Sequence, residues 1–281
     1  MCIRDRSTIG IKKIICTYDK IDKLVEFINP KEFKLLIDEY HNFLKQYSFR
    51  NKAIDGVLAH FKEFKSYCFI SATPIPEVLK PTIFNGIPEH IADWNEVDDI
   101  TVYPYHTDKP YMIAAQFIKV YQTKGFLNVN GKESKEAYFF INSVTEIKAI
   151  LKQTQLTEND YRIICADNDK NRMTLKGYTI SSSTDTPKKF NFITSKSFEG
   201  VDFHSESGIC FVVSNVQNRH TLVSIDMDIP QIAGRIRTKT NPFRNKIVHI
   251  FNTKPTDHYT TYEEMEHILS LIHISEPTRP Y

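Results

Sequence analysis

The sequence predicts an α/β protein built on parallel sheets, and three observations lead to that class. Short apolar runs alternate with longer amphipathic stretches along most of the chain, the pattern left by strands joined through crossover helices. The 281 residues suffice for about two domains of roughly 150 residues each, and a 41% hydrophobic content supplies real cores. With 25% charged residues and only 9 Gly, the composition excludes a disordered, collagen-like or coiled-coil chain.

The apolar runs, in order, are IKKIIC (11–16), FKLLID (33–38), SYCFIS (66–71), ITVYPY (100–105), AYFFIN (137–142), YRIICA (161–166), FNFIT (190–194), ICFVVS (209–214) and KIVHIF (246–251). Each reads as a strand. Between them, 19–28, 53–65, 112–123 and 143–153 place apolar residues at i, i+3 and i+4, the spacing of one helical face. Helical periodicity is weakest between Pro74 and Pro110, which places the domain joint there, with one domain over 7–95 and a second over 96–254. Ser181 to Thr186 reads as an exposed loop, and 255–268 as the start of a C-terminal helix.

The two ends are set apart by their codons. Met1 to Arg6 can be encoded as ATG TGT ATA AGA GAC AG and Leu269 to Ile274 as CTG TCT CTT ATA CAC AT, which are reverse complements of each other. A protein has no reason to carry an inverted repeat at its extremes, whereas DNA ligated to one adaptor at both ends must carry one. Residues 1–6 and 269–281 are therefore expected to be adaptor-derived and stand outside the fold.

Lys+Arg 36 against Asp+Glu 34 gives a net charge of +2, so any surface for a polyanion has to be local. One such segment is Arg235, Arg237, Lys239, Arg244 and Lys246. No run approaches the roughly 18 apolar residues of a membrane span, so no membrane partner is expected. Cys16, Cys68, Cys165 and Cys210 each lie in an apolar run without a nearby Cys or His partner. They read as small buried hydrophobes in a reducing, cytoplasmic compartment rather than as metal ligands or disulfides.

Chemistry-bearing residues gather where strands end. Leu35-Leu36-Ile37-Asp38-Glu39-Tyr40-His41 closes a strand with two acids, and in parallel sheets that end faces the ligand crevice. Asp38 suits a hard cation such as Mg²⁺, and Glu39 suits the orientation or deprotonation of a water. Ser71-Ala72-Thr73 ends the next strand. Thr194 to Asp202 follows a later one with hydroxyls, a glycine and an acid, groups suited to phosphate contact. Gln231-Ile232-Ala233-Gly234-Arg235-Ile236-Arg237 then offers an amide and two guanidiniums.

DEYH, SAT, the Thr194 to Asp202 turn and QxxGRxR, in that order, resemble motifs II, III, V and VI of the superfamily 2 helicases of the DExH type. Thr17-Tyr18-Asp19 looks like that family's Thr-Tyr-Asp segment, and Phe139 to Ser143 like its motif IV. The resemblance covers about residues 10–252. It implies two RecA-like domains, the first incomplete, that couple hydrolysis of ATP to movement on single-stranded or duplex DNA, with RNA as a second substrate class. By matching motif, Asp38 would hold Mg²⁺ through water and Glu39 would be the catalytic base. His41, Ser71 and Thr73 would couple nucleotide to nucleic acid, and Thr194 would meet the phosphate backbone. Gly200, Asp202 and Gln231 would border ATP, and Arg235 or Arg237 would act as the arginine finger.

Two departures qualify the resemblance. In motif VI the second arginine of the common pattern falls at Thr238, while Arg237 stands one residue earlier, as expected of viral or phage origin-binding-like relatives. The Gly-rich loop ending in Gly-Lys-Ser/Thr is missing between Ser7 and Leu36, so the chain is expected to be a truncated fragment, inactive alone. Asn130-Gly131-Lys132-Glu133-Ser134 lacks the glycine spacing of such a loop. Two other classes compete: a RecA-like scaffold that binds nucleic acid without turnover, and a viral packaging ATPase. The latter needs clustered carboxylates in its second domain, where this chain carries QxxGRxR.

Overall fold

The computed structural model describes residues 13–92, 99–198 and 200–254. The adaptor-like ends, the 255–268 stretch and the 95/96 boundary lie outside the described residues. The chain divides between Lys80 and Pro81 into two compact units, a point inside the Pro74–Pro110 stretch.

The first unit holds α1 (Ile21–Phe27), β1 (Lys34–Asp38), α2 (Asn42–His60) and β2 (Ser66–Ile70), with β1 and β2 paired in parallel, Lys34 opposite Ser66 through Asp38 opposite Ile70. Period-2 alternation divides this small sheet into unlike faces. Ile37 is buried, and Phe69 makes edge-on ring contacts with Tyr40, Phe43 and Phe61. On the opposite face Leu36 is 61% exposed and Ile70 40%. The expected strand at 11–16 is not formed over its described part: residues 13–17 carry no regular structure.

The second unit is a six-stranded, all-parallel sheet. Its elements are β3 (Thr101–His106), α3 (Pro110–Lys124), the hairpin strands β4 (Leu127–Val129) and β5 (Lys132–Ser134), β6 (Glu136–Phe140), α4 (Val144–Thr154), β7 (Tyr161–Ile164), α5 (Asp169–Thr174), β8 (Phe190–Ile193), β9 (Gly208–Val213), α6 (Asp228–Ala233) and β10 (Lys246–Phe251). The strand order is β3-β10-β9-β6-β8-β7. Central strands are buried on both sides, as parallel sheets require, and their side chains feed two cores. Phe139, Phe192 and Phe211 join Ile118 and Ile147 of α3 and α4; Tyr138, Phe140, Ile193 and Val212 join Ile229 and Ile232 of α6. Pro104 is tolerated because β3 is an edge strand.

Local signals set the helix ends. Ser143 accepts from the Glu146 amide at 3.4 Å and caps α4, while Gly125, at φ 84°, closes α3 in the left-handed conformation. The β6-to-β7 connection runs to one side of β6 and the β8-to-β9 connection crosses to the other. That reversal puts a topological switch point outside the carboxyl ends of β6, β8 and β9.

Candidate functional site

Parallel pairing of β1 with β2 brings the first and second acid-and-hydroxyl runs to one sheet end. Asp38 is the last residue of β1, and Glu39 follows at φ 52°, a conformation that costs a side-chain-bearing residue energy and that neighbouring bonds must enforce. The Tyr40 amide donates to the Ile70 carbonyl at 3.2 Å and ties the turn to the end of β2. His41 is fully buried. Its Nδ1 lies 2.7 Å from Ser71 Oγ, 3.2 Å from Glu39 Oε2 and 3.3 Å from Thr73 Oγ1. Ser71 Oγ accepts from the Thr73 amide at 3.0 Å and has one proton for two acceptors, the Thr73 carbonyl at 3.0 Å and Glu39 Oε2 at 3.3 Å. Four residues from two motifs, Glu39, His41, Ser71 and Thr73, thus form one hydrogen-bonded group, in which a shift of the Glu39 carboxylate changes the partners of Ser71 and His41.

In the second unit, Gln231 and Arg235 are buried and bonded to each other. Arg235 Nε donates to the Gln231 carbonyl at 2.7 Å, Nη2 to Gln231 Oε1 at 3.3 Å, and Nη1 to the Val201 carbonyl at 3.3 Å. Arg237 is 48% exposed and its Nε pairs with Asp202 Oδ1 at 2.8 Å; Arg235 approaches the same oxygen at 3.8 Å. Gly200, at φ 70°, supplies the left-handed turn that sets Val201 and Asp202 against both arginines.

Thr194 is buried, and its hydroxyl donates to the Ile164 carbonyl at 3.4 Å. The next two residues, Ser195 and Lys196, are exposed. Asn142, just past β6, accepts from Ser195 N at 3.2 Å and Ser195 Oγ at 2.7 Å, and donates to the His220 carbonyl at 2.6 Å. One amide therefore holds Ser195-Lys196 and Arg219-His220 to one polar rim at the switch point. The sequence marked Asn142 only as part of a motif IV likeness, because contacts between residues 78 positions apart leave no local pattern.

Asn130 and Gly131, at φ 51° and 78°, are the two central residues of the β4–β5 hairpin. This is type I′ turn chemistry, so the Asn-Gly-Lys run is a turn and not a phosphate loop. The expectation of four buried cysteines holds for Cys165 and Cys210, whereas Cys16 and Cys68 are exposed. Cys68 stands on the face of the small sheet that carries exposed Leu36 and Ile70, an exposure that its apolar neighbours in sequence do not signal. No group of three or more His, Cys, Asp or Glu residues among the described residues forms a ready metal cage.

No family model matches the chain, and comparison with curated proteins finds no match.

Proposed function

We propose that this chain carries the phosphoryl-transfer and nucleic-acid-contacting parts of an ATP-dependent helicase or translocase. The observation that carries the reading is the assembly of Glu39 and His41 from one strand end with Ser71 and Thr73 from the next, about 30 residues apart in sequence yet joined by contacts of 2.7 to 3.3 Å, with Asp38 beside them as the last residue of its strand. Glu39 is the base, and the buried imidazole and two hydroxyls sense its position. Asp38, exposed at the strand end, fits a Mg²⁺ ion that keeps most of its water ligands, and that ion would neutralise charge on the phosphates of ATP.

Of the two guanidiniums, the exposed Arg237 is the one placed to leave Asp202 for a phosphate. Arg235 acts as the brace that holds the Val201 turn against Gln231. The rim made by Ser195, Lys196 and Arg219 offers one hydroxyl and two cations to a sugar-phosphate backbone, a contact independent of base sequence.

A second reading, a scaffold that binds nucleic acid without turnover, is favoured by one feature: no Gly-rich loop ending in Gly-Lys-Ser/Thr occurs in the 281 residues. Both readings require the rim. Titration of a fluorescent oligo(dT) with wild-type protein and Lys196→Ala tests it: the variant should bind several-fold more weakly. Equal affinity would remove the rim from the account.

A further inference from the structure

The strained turn at Glu39 is held from one side by the Tyr40 amide, and the other side has a partner in the Thr17-Tyr18-Asp19 segment, to which the helicase likeness gives no role. The Tyr18 hydroxyl donates to the carbonyl of Asp38, the peptide group that immediately precedes Glu39. Tyr18 is in turn clamped on its ring. Phe43 meets it edge-on at 5.4 Å, and the Arg50 guanidinium lies over its face, 5.6 Å from the centroid. Arg50 is fixed by Asp19 Oδ2 and Gln46 Oε1, each at 2.6 Å, and sits where α2 departs from helical geometry, at φ −129° and ψ 25°.

We infer that Tyr18 is a positioning residue for the Asp38–Glu39 turn, latched by the Arg50–Asp19 pair. A side chain at φ 52° persists only where the surrounding bonds over-determine it. Here the peptide groups on both sides of Glu39 are bonded: Asp38 C=O to Tyr18 and Tyr40 N–H to Ile70. The ring contacts add little direction by themselves, whereas the hydroxyl fixes one carbonyl, and with it the direction in which the Glu39 carboxylate leaves the backbone. The kink in α2 brings Arg50 to both Tyr18 and Asp19. A segment outside the four motifs thereby gains control of the base's aim. The purpose of this control rests on the phosphoryl-transfer reading of Glu39; the control itself does not.

The test uses Tyr18→Phe, which keeps the ring against Phe43 and Arg50 and removes only the hydroxyl. Amide hydrogen exchange and the His41 Nδ1 nitrogen chemical shift are read in the whole chain, without nucleotide. The expected result is exchange at Tyr40 faster by about tenfold, with a displaced His41 signal, while the β1–β2 ladder amides keep their wild-type rates. Unchanged Tyr40 exchange with an unchanged His41 signal would overturn the inference. Uniform loosening of the ladder and the turn together would also overturn it, because that is loss of packing. Should Tyr18→Phe fail to fold, Asp19→Asn serves in its place: the same local loosening, smaller in size, supports the latch, and none refutes it. Because both signals are read without nucleotide, the exchange pattern stands or falls independently of whether Glu39 takes part in phosphoryl transfer.

Discussion

Arg235 and Arg237 stand two positions apart in the sequence and live in different electrostatic worlds. Removing Arg235 strips donors from the Val201 carbonyl and from Gln231 in a buried setting, so Arg235→Ala should cost about 2 kcal/mol of stability, the scale of buried groups left unsatisfied. Arg237→Ala breaks one exposed pair and should stay within about 0.5 kcal/mol. Urea denaturation of the two variants separates them, and equal losses would contradict the division of labour between brace and finger. A second titration concerns Asp19. The hydrogen bond from Arg50 holds its carboxyl below the ordinary carboxylate value, so its contribution is present above about pH 4 and is lost as pH falls through the lowered value. The pair is largely exposed, so the contribution should not exceed about 1 kcal/mol. The stability gap between wild type and Asp19→Asn should be open at pH 6 and closed at strongly acidic pH. Alkylation provides a check on burial: native protein should react at Cys16 and Cys68 and spare Cys165 and Cys210. The Cys210 thiol is pushed up to about 12 by desolvation, which removes the reactive thiolate.

Strands carried most of what the sequence disclosed. Of the nine apolar runs that read as strands, eight pair in parallel ladders within a residue or two of the expected bounds. Apolar runs of that length, with turn residues at each end, leave the chain few alternatives. The helices were less legible: α2 begins at Asn42 rather than 53, because its first turns carry Lys45, Gln46 and Arg50 among apolar residues and blur the helical period. The β4–β5 hairpin was invisible as strands of three residues, although its Asn-Gly turn was in view. The site was half legible: the motif residues stood out by type and order, whereas Tyr18, Asn142 and the inward turn of Thr194 depend on contacts across the sheet. The unlike faces of the small sheet yield a prediction at this scale. Ile37→Ala should cost about 2 to 4 kcal/mol, the range for a buried aliphatic truncation, and Leu36→Ala well under 1 kcal/mol. Chemical denaturation would contradict the assignment of faces if the two variants lost stability equally.

At the scale of the molecule, the carboxyl ends of parallel strands carry acids and hydroxyls in the first unit and Ser195, Lys196 and Arg219 in the second. Among the described residues no helix is long and apolar enough to cross a membrane. No Gly-rich loop ending in Gly-Lys-Ser/Thr occurs in the sequence, which predicts no appreciable ATP hydrolysis by this polypeptide, with or without DNA, because such a loop supplies the backbone cradle and lysine for the β- and γ-phosphates. Nucleic-acid-stimulated turnover that disappears in Glu39→Gln would refute that point and establish the base at once. The central claim is that the rim at the switch point meets a phosphate backbone, and the dependence of oligo(dT) affinity on salt reads it most directly. Neutralisation of about two phosphates by Lys196 and Arg219 predicts a slope of log K against log salt near −1.4, flattening by about 0.7 in Lys196→Ala. Binding that is absent at low salt, or whose slope is unchanged by that substitution, would contradict the account.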